Sequence, residues 1–248
     1  MTSSPSPSSQ PSQPSQPSPS SQSSGPRRPG EARLPPARSL AISDTGTGTR
    51  GNTGTGAGHG ASAGAGLRLR LWRPDDAPVL VRGVADPEYR RWNTPKLLVE
   101  TEAQALEWIR QRAADYEGGT GCVLAITPED RDDAIGSVGL GVLDLWMRRG
   151  MVGYWVLPQA RGRGVARRAL GLLTRWAFTE VGLHRLSLGH AVGHEASCRV
   201  AERCGFRYEG THRGEMFEAG DTSRFRDSHH HARLATDPEP GPGPVPAV

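Results

Sequence analysis

The chain has 248 residues, a formal net charge of +4, 35% apolar residues and three cysteines. Three cysteines make no disulfide framework, no apolar run approaches the length of a membrane span, and the amino terminus lacks the apolar core of a secretory signal. Residues 1–66 hold five arginines (Arg27, Arg28, Arg33, Arg38, Arg50) against Glu31 and Asp44, so they carry +3 and the remainder only +1, with no basic stripe of the kind that tracks nucleic acid. The expectation is a soluble, cytoplasmic protein with neither a nucleic-acid nor a membrane partner.

Residues 1–66 are dominated by Ser, Pro, Gly, Gln and Thr. Their apolar content is too low to offset the entropy of ordering, so they read as a disordered arm. Residues 237–248 (DPEPGPGPVPAV) read as a short disordered tail. What lies between, 67–236, is long enough for one domain around one core.

In chain order, LRLRLW (67–72) alternates apolar and Arg as a half-buried strand does. RPDDAPVLVRGVAD (73–86) begins with Pro and acids and turns helical. YRRWNTP follows as a loop. TEAQALEWIRQRAADYE (101–117) opens on a Thr-x-x-Gln capping box and continues as a helix. GCVLAIT (121–127), IGSVGLGVLDLWM (135–147) and MVGYWVL (151–157) predict three antiparallel strands, the last two joined by a turn at 148–150. A helix is expected from about Gly164 to Glu180, stopped by Gly182. HRLSLGH (184–190) predicts a strand and HEASCRVAERC (194–204) a helix ended by Gly205. FRYEGTH (206–212) and RFRDSHHHARLAT (224–236) predict closing strands. This order gives an α/β (α+β) fold, a mixed sheet flanked by helices.

The segment VLPQARGRGVARRAL (156–170) places Gly162 and Gly164 between a strand and a helix. Glycine permits positive φ and leaves no Cβ in the way of a ligand. The helix amino terminus adds unpaired N–H groups, which suits an anion, most naturally a diphosphate. A Walker loop is excluded, because no Gly-Lys-Ser/Thr is present. A dinucleotide fingerprint fails at Arg167, where its third glycine would stand. Gln159-Ala-Arg-Gly162-Arg-Gly164 fits a third pattern, Gln/Arg-x-x-Gly-x-Gly/Ala.

Four segments in order, LRLRLWRPDDAPVLVRGVADPEYRRW, GYWVLPQARGRGVARRAL, HEASCRVAERCGFRYEG and FRDSHHHARLATD, resemble the GNAT family of acetyl-CoA-dependent N-acetyltransferases, and within it the ribosomal-protein-alanine (RimJ/RimL-like) type. The resemblance spans roughly 67–236. It implies a mostly antiparallel sheet in which strand 151–157 splays from strand 184–190 to leave the acetyl-CoA cleft. It implies pantetheine contacts at Trp155 and Val156, with Gln159 in the loop motif. The pyrophosphate would lie on the amides of Arg161, Gly162, Arg163, Gly164, Val165 and Ala166. Ser197 matches a Ser that can donate to the departing sulfur, and Tyr154 is a second catalytic candidate. His194 stands where the motif has Asn; it either contacts the cofactor or titrates near neutral pH, or it is a solvated loop histidine. Trp92 and Arg91 fall where the acceptor cleft would be.

The base stays open. Met151 occupies a position where many relatives carry Glu, and Met takes no proton; Tyr154, Trp155, Asp144 or a water relay are the remaining candidates. The acceptor is a protein amino terminus or a small amine, and the oligomeric state is open, a homodimer being one outcome. A non-catalytic acyl-CoA-binding module is the alternative that Met151 and His194 motivate. His190 and His212 are expected at the surface and Cys204 in the core. In a strand, His229 and His231 would share one face and His230 the other, so the run forms no single metal site.

Overall fold

The computed structural model describes residues 32–37, 40, 42–44, 66–94, 99–218 and 221–241. An eight-stranded sheet has the order β1-β2-β3-β4-β5-β6-β8-β7, with β1 at Ile42–Ser43, β2 at Leu67–Leu71, β3 at Cys122–Pro128, β4 at Gly136–Asp144, β5 at Arg149–Val156, β6 at Arg185–Ala191, β7 at Arg207–Glu218 and β8 at Asp221–Leu234. All pairings are antiparallel except β5 with β6. Helices α1 (Ala77–Ala85), α2 (Pro87–Trp92) and α3 (Glu102–Glu117) precede β3; α4 (Val165–Trp176) follows β5 and α5 (Glu195–Arg203) follows β6. This is the mixed, mostly antiparallel sheet with flanking helices that the sequence predicts.

The sheet separates two apolar layers. On one face Leu69, Leu124, Leu140, Leu186 and Leu188 pack with Leu170, Leu173 and Trp176 of α4. On the other, Trp72, Leu80, Val84 and Ile109 pack around α1 and α3. Trp155 joins that second layer, its ring 6.0 Å from Trp72 and 6.2 Å from Tyr89. It lies so close to α1 that a Cβ on Gly83 would stand 2.3 Å from the indole, so α1 and β5 meet only because position 83 is glycine. The strand reading of LRLRLW holds, and Arg70 is buried because its guanidinium grips the Asp76 carboxylate at 2.6 and 2.9 Å.

Four expectations change in detail. The stretch YRRWNTP, read as a loop, contributes instead to α2. The Asp86 carboxylate accepts from Tyr89 N at 3.0 Å and Pro87 occupies the first turn, an effective start for a helix without an apolar stripe. β4 ends at Asp144 rather than 147, because the Asp144 carboxylate accepts from Met147 N at 2.8 Å and closes the turn there. The long helix is α4 followed by a π turn, Ala177–Val181, and Gly182 stops it with φ 86°. β7 and β8 run longer than expected, since their outer halves are mostly exposed and carry no sustained apolar alternation.

Part of the arm docks on the domain. Ala32 and Ile42 are buried in the α4 layer. Arg33 N donates to Val181 O at 3.0 Å, and Tyr116 OH to Pro35 O at 2.7 Å. Asp44 pairs with Arg168 of α4 and accepts from Leu67 N. The rest of the expected arm, and the tail beyond 241, lie outside the described residues. Among the described residues no helix is long and apolar enough to cross a membrane.

Candidate active site

β5 and β6 pair from Arg149↔Arg185 to Val152↔Leu188 and then separate, β5 running on to Val156 and β6 to Ala191. The opening is a cleft of about 400 Å³ walled by β5, the loop before α4, α5 and α2. Gly162 and Gly164 have φ of 75° and 71°, the left-handed region that favours glycine, and a Cβ at either would meet nothing within 4 Å. Their missing side chains therefore leave open space at the cleft. Gly164 is the N-cap of α4 and offers no side-chain cap, so the first N–H groups of the helix stay free for a ligand.

Of the expected site residues, Tyr154, Trp155, Val156, Arg161, Gly162, Gly164, Val165, Ala166, His194, Ser197 and Trp92 line this cleft. Gln159 does not; it lines a separate cavity with Arg82, Asp86 and Leu157. The three-ten turn Pro158–Ala160 carries it to that side. Arg163 is exposed and also stands outside the lining. Arg91 stacks its guanidinium 4.8 Å from the Trp92 ring, and its carbonyl accepts from Arg226 at 2.9 Å, so it supports the wall rather than lining it. Arg161 is less free than its sequence position suggests. Its Nε donates to the Val156 carbonyl at 3.0 Å and its other end pairs with Asp86, the residue that caps α2.

The positive charge on the far wall comes from residues that the turn motif alone misses. Arg167 in the first turn of α4, and Arg199 and Arg203 on α5, line the cleft. The α5 set, Ala196, Arg199, Val200 and Arg203, recurs at helical spacing. That period was legible once α5 was placed as a wall. Guanidinium groups beside free helix amides fit a polyanionic donor.

The hydroxyls of Tyr154 and Ser197 lie 2.8 Å apart, joining β5 to α5 inside the cleft. Burial pushes the Tyr154 phenol well above its ordinary value, so it is a protonated hydroxyl throughout the neutral range. His194 stacks flat on Trp92, centroids 4.6 Å apart and planes 2° from parallel. Burial pulls its imidazole down to about 4, so it is neutral at pH 7 and neither a solvated loop residue nor a group that titrates near neutrality. Glu88, also in the lining, accepts from Trp92 Nε1 at 2.6 Å. Met151 is exposed on β5 and outside the lining. Asp144 pairs with Arg149 and caps its turn, away from the cleft. His212 is exposed and Cys204 buried, as expected, but His190 is buried at 5% exposure because α5 covers the end of β6.

Free helix amides and arginines around a cleft between splayed strands suit a large anionic donor, and the buried Tyr154–Ser197 pair stands inside that cleft. Residues 66–207 match the family described as "Acetyltransferase (GNAT) domain", and the chain belongs to that family. It is an acetyl-CoA-dependent N-acetyltransferase. It is similar to the Bacillus subtilis protein named "Uncharacterized N-acetyltransferase YoaA", 30% identical over 122 residues, 49% of this chain and 69% of the relative. It is also similar to the "Putative ribosomal N-acetyltransferase YdaF" of the same organism, 36% identical over 85 residues, 34% of this chain and 46% of the relative. The fold is shared with the ribosomal-protein-S5-alanine acetyltransferase from Vibrio fischeri, at a TM-score of 0.62 and 19% identity, covering 69% of this chain and 94% of that one.

Proposed function

We propose that this enzyme acetylates a protein amino-terminal amine of the ribosomal type. The reading is supported by the likeness to the putative ribosomal N-acetyltransferase YdaF and to the ribosomal-protein-S5-alanine acetyltransferase of Vibrio fischeri. The single observation that carries the chemistry is the Tyr154–Ser197 pair at the point where β5 leaves β6.

In this assignment the amides from Gly162 to Ala166, with Arg167, Arg199 and Arg203, hold the donor's phosphates, while the Arg161 amide already donates to the Pro158 carbonyl at 3.2 Å. The acceptor amine enters beside Trp92 and Glu88. It must arrive neutral, and the Glu88 carboxylate in the lining stands where it can receive the proton released on attack. Ser197, bonded to Tyr154, donates a proton to the departing sulfur. Trp155 and Val156 lie along the donor's arm, with one restriction: the Val156 carbonyl already accepts from Arg161. The catalytic unit runs from about 67 to 236, with the segment around 32–44 docked on it.

The test is thiol release from acetyl-CoA against a panel of amino-terminal peptides and small amines. Turnover with peptides and not with small amines is the expected result. Turnover with a small amine alone would move the acceptor to that class, and donor binding without any turnover would favour the non-catalytic module. A cytoplasmic location and a homodimer belong to the same proposal, read by cell fractionation and sedimentation velocity.

A further inference from the structure

A second cluster of reactive side chains lies behind the cleft wall. In the antiparallel ladder of β6 and β8, Leu188 stands opposite His231 and His190 opposite His229. Period two sends His190 and His231 to the face that α5 covers, while His230 points the other way toward Glu215. Cys198, in the first turns of α5, comes down onto the two rings.

The ligand atoms of His190, Cys198 and His231 all lie within 4.8 Å of one another. His190 Nε2 is 3.2 Å from His231 Nε2, and Cys198 Sγ is 3.7 Å from His231 Nε2. A tetrahedral zinc ion has bonds of about 2.0–2.1 Å to imidazole and about 2.3 Å to thiolate, which sets neighbouring ligand atoms roughly 3.3–3.6 Å apart. Two of the three separations, His190–His231 and Cys198–His231, already have nearly those dimensions.

The proton placement points the same way. His190 Nδ1 lies 3.0 Å from the Ala191 carbonyl and donates to it, so its Nε2 carries the lone pair. Without a cation His231 must donate from Nε2 to that lone pair, which leaves its Nδ1 buried with no hydrogen-bond partner. A cation bound at Nε2 would take over that lone-pair contact and shift the His231 proton to Nδ1. Cys198 is half-buried, and its thiol reaches Glu202 Oε1 at 3.6 Å, so an exposed carboxylate stands beside the thiol.

We propose that His190, Cys198 and His231 form a transition-metal site of the zinc class, with Glu202 at the solvent-facing fourth position. A thiolate with two imidazoles selects zinc-like ions over magnesium or calcium. On binding, the Cys198 S–H bond breaks, its proton leaves to solvent and a metal–sulfur bond forms. The ion ties α5 to β6 and β8 one residue from Ser197. Neither the three-histidine run nor the helix cysteine suggested this alone, because the partners meet only when α5 is laid over β6.

The test is titration of the metal-free, untagged full chain with Co²⁺, followed by Zn²⁺. The expected result is one equivalent of cobalt giving a thiolate-to-cobalt charge-transfer band with the visible bands of a four-coordinate site, and loss of that colour when Zn²⁺ is added. Cys198→Ala should remove the charge-transfer band and His231→Gln should weaken binding at least tenfold, while acetyl-CoA binding reports that each variant is folded. The cluster of His212, Glu215 and His230 has no thiol, so Glu215→Gln should leave the band in place. No charge-transfer band in the wild type, or a band that survives Cys198→Ala, overturns the assignment.

Discussion

Tyr154 on β5 and Ser197 on α5 share a 2.8 Å hydroxyl contact across the cleft, and the strand and the helix meet there through these two oxygens. The contact gives Ser197 a fixed orientation and a protonated neighbour. Ser197→Ala and Tyr154→Phe should each lower kcat by about 10²–10⁴-fold, the usual size of a general-acid contribution. Acetyl-CoA affinity should change less than threefold, because neither hydroxyl belongs to the phosphate loop. Steady-state kinetics beside calorimetry separates the two. A Tyr154→Phe enzyme with full kcat would remove Tyr154 from the chemistry.

Gly164 holds φ of 71° at the start of α4, and a Cβ there would project into open cleft. Gly164→Ala therefore carries two costs. Left-handed backbone costs a non-glycine residue roughly 1–2 kcal/mol, which lowers the melting temperature by a few degrees. The methyl also stands where the donor must approach the helix amides. Calorimetry should show acetyl-CoA affinity falling more than tenfold while the far-UV spectrum stays native. Unchanged affinity would place the pyrophosphate elsewhere.

The glycine turn was legible because positive φ restricts the residue, and the capping box at Thr101 and Gln104 because both of its hydrogen bonds are local. The helix at Pro87–Trp92 was not, since six residues without an apolar stripe show only an Asp–Pro start. Gln159 and Arg161 show a different limit. A motif gives positions along the chain but not directions, and the three-ten turn swings Gln159 outward while Asp86 captures Arg161. The burial of His190 likewise depends on how α5 crosses β6, which no local pattern encodes.

His194 has a folded-state pKa of about 4, against 6.5 for the free side chain, because burial disfavours its charged form. His190 and Arg226 add to the effect and Glu88 opposes it. Between these values the unfolded chain binds a proton that the native state does not, so stability falls as pH drops from 6.5 toward 4 and is fully present above 6.5. Thermal melts across that range, in a chelator so that no metal enters, should show the decline. His194→Asn should flatten part of it. A wild-type melting temperature independent of pH from 4 to 6.5 would mean the imidazole is solvated.

The docked part of the arm predicts an asymmetry between two truncations. Removing residues 1–30 touches none of the contacts made by Ala32, Arg33, Pro35, Ile42 or Asp44, and should leave the melting temperature and acetyl-CoA affinity unchanged. Removing 1–65 strips the Ala32 and Ile42 side chains from the α4 layer, the Pro35 acceptor from Tyr116, and the Asp44 partner from Arg168. One buried Ile is worth about 1.5–3 kcal/mol, and Tyr116 loses a hydrogen bond worth about 1 kcal/mol. Denaturant unfolding should therefore show a loss of several kcal/mol for the longer truncation. Arg168, which pairs with Asp44, lies one helical turn after Gly164 and donates its backbone N–H to the Gly164 carbonyl at 3.0 Å, so the arm contact reaches the donor loop. A modest, few-fold weakening of acetyl-CoA binding should accompany the loss of stability, and equal stability of the two truncations would show that the segment around 32–44 does not hold the domain together.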